Sequence, residues 1–245
     1  LKGEVSFITG DYPKALSFLT ELSHQDKYSQ FIVHYIKHNK APESLQSFYE
    51  LNVKTSKAFG LFNELSSDLI HYKIYSDLPY QERLELAKLL LPIFNSTEKL
   101  HIHFDPQTQV LDLSNNSELN FPYMLQNFPA QKADFSHTSI INFISFRSMP
   151  LLSLDVSSTP LTSLDTFSNH SLRELSIAHT KIRDLSPLRT STLQVLDIRG
   201  LDLLNQEDLL PMSINYLKTL ITSPNQLEPD VKAILSRRIN LIEKN

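Results

Sequence analysis

The segment LLSLDVSST (151–159) recurs throughout the second half of the chain and decides its fold. Its central Leu154 belongs to a series whose members follow one another at steps of 22, 21, 21, 21 and 21 residues: Leu111, Ala133, Leu154, Leu175, Leu196 and Leu217. Around each of these positions apolar and polar residues alternate, which predicts a short strand with one buried face. A constant step of this length predicts that the six strands stack side by side in one array.

The turn that follows each strand carries a characteristic residue at a constant place: Asn116, Thr138, Thr159, Thr180, Leu201 and Thr222. We expect the polar side chains in this series to hydrogen-bond backbone groups that the turn leaves open. Leu201 interrupts the series, and we expect local irregularity between residues 202 and 212.

A step of 20–29 residues with an L-x-L centre is the signature of a leucine-rich repeat solenoid, which is an α/β fold with parallel strands. The segments MPLLSLDVSSTPL (149–161) and TKIRDLSPL (180–188) resemble the threonine-type repeats of bacterial leucine-rich repeat proteins. Such arrays are often appended to large bacterial serine/threonine protein kinases. Residues 221–238 resemble the helix that usually follows the last coil. The resemblance covers about residues 105–242 and implies about six coils.

Composition excludes several classes of function. The 245 residues carry 23 basic and 27 acidic side chains, for a net charge of −4, which disfavours nucleic acid and anionic membranes as partners. There is no cysteine, which removes disulfides and cysteine metal sites and favours the cytoplasm. No apolar run is long enough to predict insertion into a membrane. The chain begins with leucine, so we expect it to be a fragment of a longer protein.

The spacing of apolar residues in the first 97 residues differs from that of the repeats: they recur every three or four positions. This pattern predicts helices within 3–22 and over about 25–38, 42–51, 55–74 and 79–94. Gly3, Gly10, Tyr12, Ala15 and Leu19 resemble one unit of a tetratricopeptide repeat. We therefore predict two domains: a helical domain over 1–97 that caps the array, and a repeat solenoid with a C-terminal helical cap over 98–245.

The segment between the two halves, KLHIHFDP (99–106), alternates and predicts a strand antiparallel to the first repeat strand. His101, His103 and Asp105 would share one face, which is the arrangement that a metal site requires. Three ligands on one extended strand are nevertheless spread over about 13 Å, so we expect a solvated face rather than a metal site.

The chain contains no recognised catalytic motif. Four glycines are too few for a glycine-rich phosphate loop, and neither a zinc-protease motif nor a hydrolase nucleophile motif is present. No cofactor is expected, and the sequence predicts a non-enzymatic protein.

The polar residues between the core positions would line the concave side of the solenoid in columns. A first column runs from Val110 to Tyr216, and a second, mainly aspartate, from Asp112 to Lys218. The aspartates would either receive a basic partner or simply belong to the repeat pattern, with the neighbouring serines satisfying them. The candidate partner-binding residues are Asp112, Lys132, Asp134, Asp155, Glu174, Val195, Asp197, Arg199, Tyr216 and Lys218. Aromatic and arginine side chains favour interfaces, so we expect the C-terminal end of this face, with Arg199 and Tyr216, to carry the anchors.

The sequence thus predicts a monomeric scaffold that binds a protein or peptide through its concave repeat surface. The alternative is the regulatory or substrate-recruiting tail of a bacterial serine/threonine kinase whose catalytic domain lies outside this chain.

Overall fold

A computed structural model describes residues 12–20, 33, 37, 79–95, 97, 99–120, 122, 125, 128–142, 146, 148–165 and 171–245. The chain forms two compact units, Leu1–Leu78 and Pro79–Asn245. The sequence predicts a domain boundary after residue 97, whereas the division between the two units falls after Leu78. The helix that precedes the sheet therefore belongs to the second unit.

In the first unit the structure describes helix α1 (Tyr12–Leu19), on which Ala15 and Leu19 are buried. This helix lies within the region predicted to be helical between 3 and 22. Val33 and Lys37 are also helical, as predicted for 25–38. The remaining predictions for this unit lie outside the described residues: the first helix before Gly10 and the helices over 42–51 and 55–74.

Helix α2 (Tyr80–Phe94) opens the second unit and confirms the helix predicted over 79–94. Its first turn packs on aromatic rings of the sheet region: the ring of Tyr80 meets that of Phe104 edge-on with centroids 5.5 Å apart. Phe104 in turn meets Phe128 at 4.8 Å, and the guanidinium of Arg83 lies 5.6 Å from the centre of the Phe128 ring. Each such contact adds about 1 kcal/mol to the burial of the rings, so this cluster fixes α2 against the start of the sheet.

The described part of the second unit holds an eight-stranded sheet whose strands lie side by side in chain order. Strands β2 to β8 are parallel, and β1 is antiparallel to β2. The sequence predicts the antiparallel first pair and the parallel order of β2 to β7, but not β8. The strands are β1 (His103–Asp105), β2 (Val110–Asp112), β3 (Lys132–Asp134), β4 (Ser153–Asp155), β5 (Glu174–Ser176), β6 (Val195–Asp197), β7 (Thr219–Thr222) and β8 (Asn240–Glu243).

Short helical segments connect the later strands. They are the 3₁₀ turns Ser186–Leu188 and Gln206–Asp208 and the helices α3 (Leu209–Asn215) and α4 (Pro229–Leu235). Pro187 lies at the start of the first 3₁₀ turn, where its missing N–H group would have no partner within the turn in any case. None of the helices in the described ranges has the length and apolarity needed to cross a membrane.

The register of the sheet confirms the predicted step up to β6 and departs from it at β7. The central positions pair as Leu154 with Leu175 and Leu175 with Leu196, 21 residues apart. Leu196 then pairs with Leu220, which is 24 residues further on, so the prediction that Leu217 is the central residue of the sixth strand is wrong. The extra three residues are taken up by the 3₁₀ turn and α3, which precede β7 directly.

The segment LKTLIT (217–222) fits the repeat pattern in two registers, with either Leu217 or Leu220 as the central residue of the strand. Leucines three residues apart occur in three successive repeats, at 151 and 154, 172 and 175, and 193 and 196, and Leu217 and Leu220 have the same spacing. Leu217 is buried at 4% exposure, but it corresponds to Leu193, two residues before the strand, and Leu220 is the central residue with no exposure. Either leucine therefore satisfies the pattern when the length of the preceding loop is unknown.

Side-chain hydrogen bonds close the turn after each strand. The hydroxyls of Thr138, Thr159 and Thr180 donate to the carbonyl oxygen three residues earlier at 2.7, 2.7 and 2.8 Å. Asn116 does the same through Nδ2 at 2.8 Å, and its amide also exchanges two hydrogen bonds with the backbone of His101. These contacts confirm the predicted role of the series up to Thr180.

The interruption at Leu201 is compensated by the next repeat. The Nε2 of Gln226 donates to the carbonyl oxygens of Ile198 and Leu201 at 2.7 and 3.0 Å, and its Oε1 accepts from the N–H of Ser223 at 2.8 Å. Thr222, predicted to continue the series, instead lies within β7 because of the shifted register. Its hydroxyl is buried without a hydrogen-bond partner.

The same turns place one residue per repeat in the left-handed backbone region. The φ angles are 57° at His137, 56° at Ser158, 56° at His179 and 71° at Gly200. A Cβ added at Gly200 would lie 2.4 Å from Nδ1 of His179, so the imidazole of one turn occupies the space that a side chain of the next would need.

Replacing Gly200 with alanine should lower the free energy of unfolding by about 2 kcal/mol or more. The left-handed conformation alone costs an L-residue about 1–2 kcal/mol, and the clash with His179 adds to it. In a His179→Ala background the loss should fall to the backbone part, which denaturant unfolding of the two single variants and the double variant measures. An equal loss in both backgrounds would show that the imidazole does not oppose a side chain at this position.

Candidate partner-binding face

The surface that the sequence singles out is the exposed sheet face, defined here by the first and third residues of β2 to β8. The first positions are Val110, Lys132, Ser153, Glu174, Val195, Thr219 and Asn240. The third positions are Asp112, Asp134, Asp155, Ser176, Asp197, Ile221 and Ile242. The residue between them is buried in β2 to β7, which directs the flanking side chains to the opposite side of the sheet.

Seven of the ten predicted site residues lie on this face: Asp112, Lys132, Asp134, Asp155, Glu174, Val195 and Asp197. Arg199 follows two residues after Asp197 in the turn after β6. Tyr216 and Lys218 do not lie on the face, because the shift of register leaves them before β7. The neighbour of Val195 is thus Thr219 and not the predicted Tyr216.

The aspartates of the face hold the turns that follow their strands. One carboxylate oxygen of Asp112, Asp134 and Asp155 accepts a hydrogen bond from the backbone N–H of the serine two residues later at 2.9, 2.9 and 2.8 Å. This geometry favours the interpretation in which the aspartates belong to the repeat pattern. The hydrogen-bond donor to each carboxylate is the backbone N–H of the serine. A basic partner is therefore not needed to explain why aspartates recur along this column.

Arg199 is engaged within the fold as well. Its guanidinium forms a bidentate contact with Asp197, with Nη2 to Oδ2 at 2.8 Å, and Nη1 donates to the carbonyl oxygen of Asn245 at 3.0 Å. The hydrogen bond to Asp197 raises the pKa of Arg199 above its usual value. Because Asp197 is buried, removal of Arg199 would leave a desolvated carboxylate, so this arginine stabilises the fold.

Tyr216 and Lys218 lie where the chain enters β7. Tyr216 is the C-cap residue that follows α3 and is 54% exposed. Lys218 is exposed, and its Nζ donates to Oε1 of Gln194 at 3.3 Å. These two side chains border the exposed sheet face at its C-terminal end.

Ile221 and Ile242 were missed by the sequence analysis. They pair directly across β7 and β8, and Ile221 also pairs with Asp197. Both are half-buried on a face whose earlier third positions are aspartate or serine. The available signals were the second frame of LKTLIT, which makes Ile221 a face residue, and the segment NLIE (240–243), which continues the apolar pattern after α4.

At the other end of the face, a histidine lies beside the aspartate column. Nε2 of His101 is 3.6 Å from Oδ2 of Asp112, and His103 pairs with Asp112 across β1 and β2. Burial would raise the pKa of Asp112, but the hydrogen bonds from Ser114 and the contact with His101 outweigh it and lower the pKa.

Asp105 does not join these histidines in a ligand set. Its carboxylate accepts from the hydroxyl of Thr108 at 2.6 Å and from the N–H of Gln107 at 2.9 Å. The contact with Thr108 is the largest of the effects that lower the pKa of Asp105. Within the described ranges, no group of three or more histidine, aspartate or glutamate side chains has the arrangement of a metal site.

Comparison with known proteins adds no family or relative. No protein-family model, curated protein or solved structure matches the chain. The resemblance to bacterial leucine-rich repeat proteins and the association with kinases therefore stay predictions.

Replacing His101 with alanine should raise the pKa of Asp112, which ¹³C NMR titration of the side-chain carboxyl measures. A lowered carboxyl pKa stabilises the fold above the unfolded value of about 3.9, and this contribution is lost as the pH falls through the folded pKa. Because this loss runs from the unfolded pKa down to the folded pKa, the His101→Ala variant should lose less stability than the parent below about pH 3.9 and should complete the loss at a higher pH. Asp184 is the internal control, since Ser186 rather than a histidine lowers its pKa. An unchanged titration of Asp112 would show that His101 does not act on it.

Proposed function

We propose that the chain is a non-enzymatic protein–protein interaction module built as a leucine-rich repeat solenoid. The constant 21-residue register of β3 to β6 and the parallel strands in chain order support the solenoid. The contacts of α2 with Phe104 and Phe128 support a helical cap at its start, whereas α4 is followed by β8 and therefore does not end the array as the predicted C-terminal cap would. Stacked arrays of this kind present an extended surface to partners.

The observation that carries the proposal is the change in character along the exposed sheet face. Third positions that are aspartate or serine from β2 to β6 become Ile221 and Ile242 in β7 and β8. Val195 lies at the first position of β6, opposite Thr219 and diagonal to Ile221, so three half-buried aliphatic side chains lie on the same face of three successive strands. Interface centres are depleted in charge and rimmed by polar groups, and here Lys218 and Tyr216 supply a rim. We name Val195, Ile221 and Ile242 the apolar patch.

The alternative of a regulatory or substrate-recruiting tail of a serine/threonine kinase uses the same surface. It is supported by the resemblance of residues 149–161 and 180–188 to kinase-associated repeats. In that case the partner of the apolar patch is a kinase substrate or the kinase domain itself.

The double substitution Ile221→Ser and Ile242→Ser should lower the affinity for a captured partner at least tenfold. Isothermal titration calorimetry with the full chain measures this affinity. The reason is the loss of apolar area that the partner would otherwise cover. Ile141→Ser is the matched control, because Ile141 is 62% exposed and lies outside the exposed sheet face. The proposal fails if the double variant binds as tightly as the parent, or if the control loses as much.

A further inference from the structure

Among the described residues, strand β8 forms one edge of the eight-stranded sheet. It is the last strand in the order, and its only neighbouring strand among the described residues is β7. The N–H groups of Asn240 and Lys244 donate toward β7, to the carbonyl oxygens of Lys218 and Thr222 at 2.8 and 2.9 Å. Backbone groups alternate in direction along a strand, so Leu241 and Glu243 direct their N–H and C=O groups away from β7. These four groups form a template for one more strand.

Several devices that usually protect an edge strand are missing from β8. The strand contains no proline, and it pairs with β7 in continuous register over four residues without a bulge. Leu241 and Ile242 are only half-buried, so an added strand would cover more of both. The exposed side of Ile242 continues the apolar patch, and a strand beside β8 would extend the same face.

The charge around this edge is basic. Arg237, Arg238 and Lys244 are exposed at the two ends of β8. The single acidic side chain of the strand, Glu243, is held by Nζ of Lys232 at 2.7 Å. Residues 237–245 thus carry three cations and one anion, a net charge of +2, in a chain whose overall charge is −4.

We infer that β8 binds an extended acidic segment of a partner protein as an added ninth strand. The inference rests on the proposed interaction role and names its partner class. Apolar residues at the centre of the segment would lie beside Ile242, and acidic residues at its ends would meet Lys244 and Arg238. A second copy of β8 is disfavoured, because antiparallel pairing of two copies brings Lys244 of one toward Arg238 of the other. Backbone hydrogen bonds supply the affinity and side chains the specificity in this mode of recognition.

The test uses the full chain and three capped seven-residue peptides. The first has the sequence EEVIVEE, the second has lysine in place of each glutamate, and the third is the acidic peptide with N-methyl groups on alternate backbone nitrogens. Amide hydrogen exchange by NMR is measured with and without each peptide. The acidic peptide should slow exchange at Leu241 and Glu243 at least tenfold and leave Asn240 and Lys244, already bonded to β7, unchanged.

The controls separate the parts of the inference. Affinity should fall at least tenfold for the lysine peptide and for the N-methylated peptide. The Arg237→Glu and Arg238→Glu double variant should lose affinity for the acidic peptide to a similar extent. Leu241→Pro removes an outward N–H group together with the leucine side chain and should also weaken binding; Leu241→Ala, which keeps the N–H group, is its control.

Three results would overturn the inference. The first is equal binding of the N-methylated peptide or binding without protection of Leu241 and Glu243, which would mean docking by side chains alone. The second is no binding of the acidic peptide at millimolar concentration, or equal binding of the lysine peptide. The third is protection of the same amides by self-association without peptide, detected by sedimentation. The proposed function is judged separately, by the effect of Ile221 and Ile242 on a captured partner.

Discussion

The turn after each strand is the constraint on which the rest of the sheet depends. A chain that returns to the sheet after only 21 residues must reverse direction at once, which leaves backbone groups without partners inside the structure. The hydroxyls of Thr159 and Thr180 and the amide of Gln226 satisfy carbonyl oxygens there. The aspartate at the end of the strand satisfies the N–H two residues later, as Asp155 does for Ser157. The turns after β2, β3, β4 and β6 are therefore closed from both sides, and the turn after β5, whose strand ends in Ser176, is closed by the hydroxyl of Thr180. These fixed turns hold the strands in register.

The period and polarity of the chain were sufficient to predict the strands from β1 to β6, their parallel order and the antiparallel start. These features depend on local alternation and on a step that residues 133–196 repeat without change. The register of β7 could not be predicted, because Leu217 and Leu220 both fit the pattern and the choice depends on how α3 packs. β8 was missed because residues 240–243 follow a helix that the family resemblance makes the end of the array.

The sequence proposed a position for the candidate site, which stays a prediction, but it did not predict the composition of that surface. The sequence placed the binding region at the C-terminal end of the exposed sheet face, and the structure gives that end a distinct chemistry. The predicted anchors differ: Arg199 is paired with Asp197, and Tyr216 lies at the border of the face. The apolar patch arises from two tertiary facts, the three-residue shift at β7 and the presence of β8, and neither is encoded in the local pattern.

The register of β7 is the central claim, because the apolar patch depends on it. The chain has no cysteine, so single cysteines at positions 220 and 221 report accessibility to a thiol reagent without interference. In the folded protein the account predicts rapid labelling of Ile221→Cys, and labelling of Leu220→Cys only after unfolding, since Leu220 has no exposed surface. Rapid labelling at position 220 in the folded protein would place Leu217 at the centre of the strand, restore the uniform 21-residue step and contradict this register.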